Sequence, residues 1–74
     1  MFYSSITAET LRICRASSTA TNAQTSIKAL VDRMAKQGAD RSIMKNSIKK
    51  MFNRHQMSVK YGIQGNEFIQ HLFD

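Results

Sequence analysis

The stretch IKALVDRMAKQGADRSIMKNSIKKMFNR, residues 27–54, decides how this chain folds. Ile27, Leu30, Val31, Met34 and Ala35 recur at i, i+3, i+4, i+7 and i+8, the spacing of one buried helical stripe. Gly38 then suits the left-handed position just past a helix end. Asp40 suits an N-cap, where its carboxylate also meets the positive end of the next helix dipole. From Arg41 a second stripe begins: Met44, Ile48, Met51 and Phe52 share one face, with Ser47 and His55 at its edges. Lys45, Lys49, Asn53, Asn46 and Lys50 sweep the opposite side. The segment 41–54 carries five basic residues, Arg41, Lys45, Lys49, Lys50 and Arg54, and no acid.

Upstream of this centre, Thr21-Asn22-Ala23-Gln24 has the capping-box form, so the first stripe's helix is expected to begin at Asn22. Residues 17–22 are small and polar and read as a linker. Before them, Thr7 is expected to cap a short helix over 8–17, with Ile6 stapled onto Leu11 and with Ile13 and Cys14 extending its apolar side. The segment through Asn22 is expected to be the most mobile part. Phe2 and Tyr3 precede that cap and either close the core or hook a partner.

Downstream, Met57, Val59, Tyr61 and Ile63 alternate with Ser58, Lys60 and Gly62 as a strand would, but an isolated strand lacks a partner. Continuing the helix instead places Val59 over the apolar face and lets Gly62 close it; the helix is expected to reach at least His55, with fraying or extension to Tyr61, and 57–63 stays open among strand, loop and helix extension. Asn66 is expected to cap a last helix with an apolar side of Phe68, Ile69, Leu72 and Phe73. Residues 1–74 thus read as a single all-α domain, a compact bundle of about four short helices with a helix-turn-helix-like centre.

With 74 residues the chain buries only about 60% of the surface its unfolded form exposes, so its stability margin is thin. A single Cys14 excludes an internal disulfide, which leaves helix packing or self-association as the source of stability. A homodimer is compatible with the composition, because the 68–73 stripe can be completed across a two-fold axis. One thiol fits a reducing compartment, and no apolar run approaches the roughly 20 residues of a membrane span. The start of the chain lacks the positive charge and apolar stretch of a secretory signal, and Arg12 and Arg15 make a thin transit signal. A cytoplasmic protein is the expectation.

Eleven Lys or Arg stand against five Asp or Glu, a formal net charge of +6. Nine of those cations lie between Lys28 and Lys60, where only Asp32 and Asp40 oppose them. Such concentration favours phosphate backbones, acidic protein surfaces or anionic lipid, without choosing among them.

Ala35, Gly38 and the helix opened by Asp40 occur in the order of a small residue, a turn glycine and a second helix, and the pair resembles a helix-turn-helix. The spacing differs in that Ala35 is three residues before Gly38, and Ser47 occupies a position usually apolar. That resemblance implies that Arg41, Ser42, Lys45 and Asn46 lie nearest a nucleic-acid groove, with Arg and Asn able to bond base edges in pairs. Lys49, Lys50 and Arg54 would contact phosphates, and Tyr61, beside Arg54 and Lys60 in the sequence, is the one good candidate for stacking on a base.

Cys14, His55 and His71 are not spaced as a zinc site, and Glu9, Asp32, Asp40, Glu67 and Asp74 offer no carboxylate pair. Gln64-Gly65-Asn66 is too short for a phosphate-cradling loop. No metal, cofactor or enzymatic activity is therefore expected. The composition and charge point to a small basic regulatory protein that binds nucleic acid through the helix at 41–55. The alternative is an adaptor or inhibitor that docks on an acidic or nucleic-acid-binding surface of a larger complex.

Overall fold

Two amphipathic helices joined by a short turn need further apolar surface to cover their stripes, and in the computed structural model both ends of the chain supply it. The backbone is described for residues 2–73 and side chains for 5–73. The expectation for the side chains of Phe2 and Tyr3 lies outside the described residues. Five helices follow in order: α1 (Phe2–Ala16), α2 (Ala20–Lys36), α3 (Arg41–Arg54), α4 (Met57–Tyr61) and α5 (Gly65–Phe73). Four of them form the bundle, and α4 is a five-residue turn of helix between α3 and α5. No described residue is in a strand.

The turn between α2 and α3 matches its expected chemistry atom by atom. Gly38 adopts φ 100°, a conformation open to glycine at little cost. Its N–H donates to the Ala35 carbonyl at 3.1 Å, and the Ala39 N–H donates to the Met34 carbonyl at 3.0 Å. These two bonds are the Schellman pattern, and Ala39 and Met34 both belong to the core cluster that such a motif brings together. Asp40 then caps α3, its carboxylate accepting from the N–H groups of Ser42 at 2.8 Å and Ile43 at 3.2 Å.

Helix α1 is longer than expected. Thr7 lies inside it rather than at its cap, and Ile6, Thr10 and Cys14, spaced four apart, form a fully buried line against α2 and α3. The segment expected to be loosest is thus part of the core, because its two flanking half-buried residues, Leu11 and Ile13, broaden that line into a packing face. The cap of α2 also moves. Thr19, with extended φ and ψ, accepts from the Asn22 N–H at 3.2 Å, so α2 starts at Ala20 and not at Asn22. Starting earlier brings Ala23 fully inside. Gln24, freed from any capping box, donates to the Phe68 carbonyl at 3.4 Å and ties α2 to α5.

Helix α3 ends at Arg54 with His55 as its cap, close to the expected His55, and the segment 57–63 that the spacing left open is a separate short helix followed by a turn. A continuous helix to Tyr61 would have covered the core with Val59, but the chain breaks at His55–Gln56, where Gln56 takes the left-handed φ of 52°. That break turns the following residues over. Met57 is buried and Tyr61 half-buried, whereas Val59 is 77% exposed. Burying a Met and most of a Tyr instead of one Val offsets the strain of about 1–2 kcal/mol that a left-handed non-glycine residue carries. Gly62 closes α4 with φ 65°, as expected. The last helix begins at Gly65, one residue before Asn66, and Phe68 N–H bonds the Gln64 carbonyl. Gly65 lies so close to α3 that a Cβ there would meet Asn53 Oδ1 at 3.2 Å and Phe52 Cδ1 at 3.4 Å.

The core stripes then interlock as expected. Ile27, Leu30, Val31 and Met34 of α2 join Met44, Ile48, Met51 and Phe52 of α3 and Phe68, Ile69 and Leu72 of α5, all buried. Phe52 and Phe68 ring centroids lie 4.5 Å apart, and the Tyr61 ring lies nearly parallel to Phe68 at 6.0 Å. Helices α2 and α3 touch each other little. Each leans chiefly on α1 and α5, so the pair is a hinge-like hairpin braced from both sides.

Candidate polyanion-binding face

Helix α3 buries one side and leaves the other free, which fixes where its charges stand. Arg41, Ser42, Lys45, Asn46, Lys49, Lys50, Asn53 and Arg54 are all exposed. At about 100° per residue, Asn46 falls opposite the buried stripe, Lys45 and Lys49 fall on one flank, and Lys50 and Arg54 on the other. Each flank borders its own depression. Lys45 and Lys49, with Asn66, Ile69 and Gln70 of α5, line an open groove of about 320 Å³. Lys50 and Arg54, with Thr7 of α1 and with Ser47 and His55, line a shallower one of about 150 Å³. The helix is a ridge between two basic troughs.

The acids sit elsewhere. Asp32 and Asp40 are both at the α2–α3 turn. Asp32 Oδ1 accepts from Arg41 Nη2 at 3.2 Å across that turn, and Asp40 is held at the first amides of α3. Arg41 is therefore committed at least in part to a partner within the chain, and two carboxylates crowd the tip that the helix-turn-helix resemblance would present. Among the described residues, Lys45, Lys49, Lys50 and Arg54, over the C-terminal two-thirds of the ridge, form no ion pair.

Lys60 and Tyr61 do not join this face. Lys60 Nζ and the Tyr61 hydroxyl both donate to the Cys14 carbonyl at 2.6 Å, and the same hydroxyl also donates to the Ser17 carbonyl at 2.8 Å. Those carbonyls lie at the C-terminal end of α1, where the Cys14 carbonyl otherwise accepts only a long 3.4 Å bond from the Ser17 N–H, so the two side chains cap that helix from α4. Lys60 Nζ also stands 5.2 Å from the Tyr61 ring centroid. With its ring beside Phe68 and its hydroxyl engaged, Tyr61 is half-buried and holds the end of α1. Burial first, then the neighbouring Cys14, push the Tyr61 phenol up to about 12. Burial likewise raises the Cys14 thiol, against the pull of Lys60 and the Tyr61 hydrogen bond. Cys14 is thus a neutral, buried thiol at the ordinary pH of a cell.

Three residues bordering this face were not legible as site residues. Ile43, 44% exposed, stands on the outer side of α3 among the cations. Its place beside Asn46 is implicit in the helical spacing. Asn66 and Gln70 reach the α3–α5 groove only through the tertiary packing of α5. Among the described residues no three His, Cys, Asp or Glu side chains converge as metal ligands would. No described helix is long and apolar enough to cross a membrane. No family model matches the chain, and neither a curated protein nor a solved structure matches it.

Proposed function

We propose that this protein is a small non-enzymatic regulator that binds nucleic acid through the exposed face of α3. The observation that carries this reading is the segregation of charge: four cations, Lys45, Lys49, Lys50 and Arg54, without an ion pair among the described residues, line both sides of one exposed ridge, while Asp32 and Asp40 are engaged by Arg41 and by the first amides of α3. Four phosphate contacts release about four counterions, so log affinity should fall against log salt with a slope of about −3 to −4. The action is stoichiometric. The protein neutralises phosphates and alters access for other machinery.

The test is fluorescence anisotropy of labelled DNA and RNA oligonucleotides at 50 and 200 mM salt, with the double charge reversal Lys45→Glu/Lys50→Glu alongside. Binding that weakens steeply with salt and is abolished by the reversal supports the reading. Absence of affinity for every nucleic acid at low salt ends it. Nuclease-resistant capture of an acidic protein, lost in the same variant, would then assign the ridge to a protein surface.

A further inference from the structure

The two troughs beside α3 differ in what lines them. On the α5 side Lys45 and Lys49 share the groove with Asn66 and Gln70, whose carboxamides both donate and accept. On the α1 side Thr7, Ser47, Lys50, Arg54 and His55 surround Met51, a set of donor side chains with no carboxylate among the described lining residues. Helix α1 contributes Thr7, and α3 with its C-cap contributes the others, so the donors reach one hollow from two elements. We propose that this trough seats the terminal phosphate of a nucleic-acid strand; this rests on the nucleic-acid reading above.

The donor set selects a phosphomonoester over the backbone diester. A terminal phosphate carries a charge of about −1.5 to −2 at pH 7 and three strong acceptor oxygens, whereas a diester link carries a single charge. Arg54 brings a planar fork of N–H donors and Lys50 an ammonium, with hydroxyls at Ser47 and Thr7 and an imidazole at His55. A diester leaves most of these donors unused. A hollow of about 150 Å³ is also too small for a drug-sized molecule, whose sites run from about 300 Å³, and suits a group at the end of a chain. Helix α3 ends here, and the negative pole of its dipole amounts to about half an elementary charge. Lys50 and Arg54 together outweigh it, and neither forms an ion pair among the described residues. The Met51 and Asn53 carbonyls already accept from the N–H groups of His55 at 3.0 Å and Gln56 at 3.2 Å, so the backbone closes the last turn without these side chains. By helical spacing Lys49 stands across Asn46 and Asn53 from Lys50, and the strand's next phosphates pass over the ridge to Lys49 and Lys45.

The experiment measures anisotropy for short, internally labelled single strands of one sequence that carry a 5′-phosphate, a 3′-phosphate or hydroxyls at both ends. A phosphate at one of the ends should tighten binding about 10-fold over the hydroxyl strand, as hydrogen bonds to a charged group do. Arg54→Lys keeps the charge and loses the fork, so it should cut that ratio to about 2-fold while the hydroxyl strand binds as before. Lys45→Gln, on the other flank, should weaken all three strands alike and leave the ratio intact. Both substitutions are at exposed positions, and unchanged thermal melts would certify the fold. Equal affinity for the three strands, or a ratio that persists in Arg54→Lys, overturns the inference while leaving nucleic-acid binding intact. Tighter binding of a serine-phosphorylated peptide of equal net charge, or of phosphoinositide vesicles, than of the phosphorylated strand overturns it too. No binding to any strand overturns both.

Discussion

At the scale of single residues, one atom stands out as a defect. Thr10 Oγ1 is fully buried and has no hydrogen-bond partner, in a line otherwise made of Ile6 and Cys14. A buried hydroxyl without a partner costs about 1–3 kcal/mol, so Thr10→Val, which keeps the shape, should raise stability by about 1 kcal/mol in urea unfolding. Tyr61 shows the reverse. Its hydroxyl holds two carbonyls at the end of α1, and Tyr61→Phe should cost about 1–2 kcal/mol while leaving polyanion affinity unchanged. The pH dependence follows from the same group. A phenol raised from 10.0 to about 12 favours the folded state while neutral, so its contribution is complete below pH 10 and is lost as pH rises toward 12. Thermal melts between pH 8 and 11 should fall at the alkaline end, and less so for Tyr61→Phe.

At the scale of elements, the α2–α3 turn separates a cap from a charge. Asp40→Ala removes two bonds to the first amides of α3 and should cost about 1 kcal/mol. Asp40→Asn keeps a capping oxygen and removes the charge, so it should bind polyanions more tightly at nearly unchanged stability, which parallel melts and titrations would check. This turn was legible because Gly38 and Asp40 each have a local reason to be there. The break after α3 was not. His55 and Gln56 carry no proline or glycine, and the left-handed Gln56 arises because packing favours Met57 and Tyr61 inside over Val59. Gln56→Gly relieves that conformation and should stabilise by up to about 1 kcal/mol in denaturant titration. The same division applies to the site. The cations of α3 followed from spacing alone, whereas the withdrawal of Lys60 and Tyr61 depended on where α1 ends, a contact across more than forty residues that no local pattern encodes.

At the scale of the whole molecule, the ridge stands only because two distant segments flank it. The chain folds to a body of 32 × 21 × 20 Å in which α1 and α5 brace α3 from either side. A domain this small has little stability to spare. Removing α5, and with it Phe68, Ile69 and Leu72, should leave a chain without a cooperative melt by circular dichroism and without salt-dependent binding above that of an unstructured cation. The bracing has a consequence for synthesis. Residues 41–54 leave the ribosome with all their charges, and α1 and α2 can already pack on part of the α3 stripe, but that stripe lacks its cover of Phe68, Ile69 and Leu72 until α5 has been made, and the end of α1 lacks Lys60 and Tyr61 until α4 has been made. A nascent chain therefore holds the cations without the ridge, and the translation machinery, itself rich in phosphate, meets the shaped surface only after the chain has been carried through its last helix.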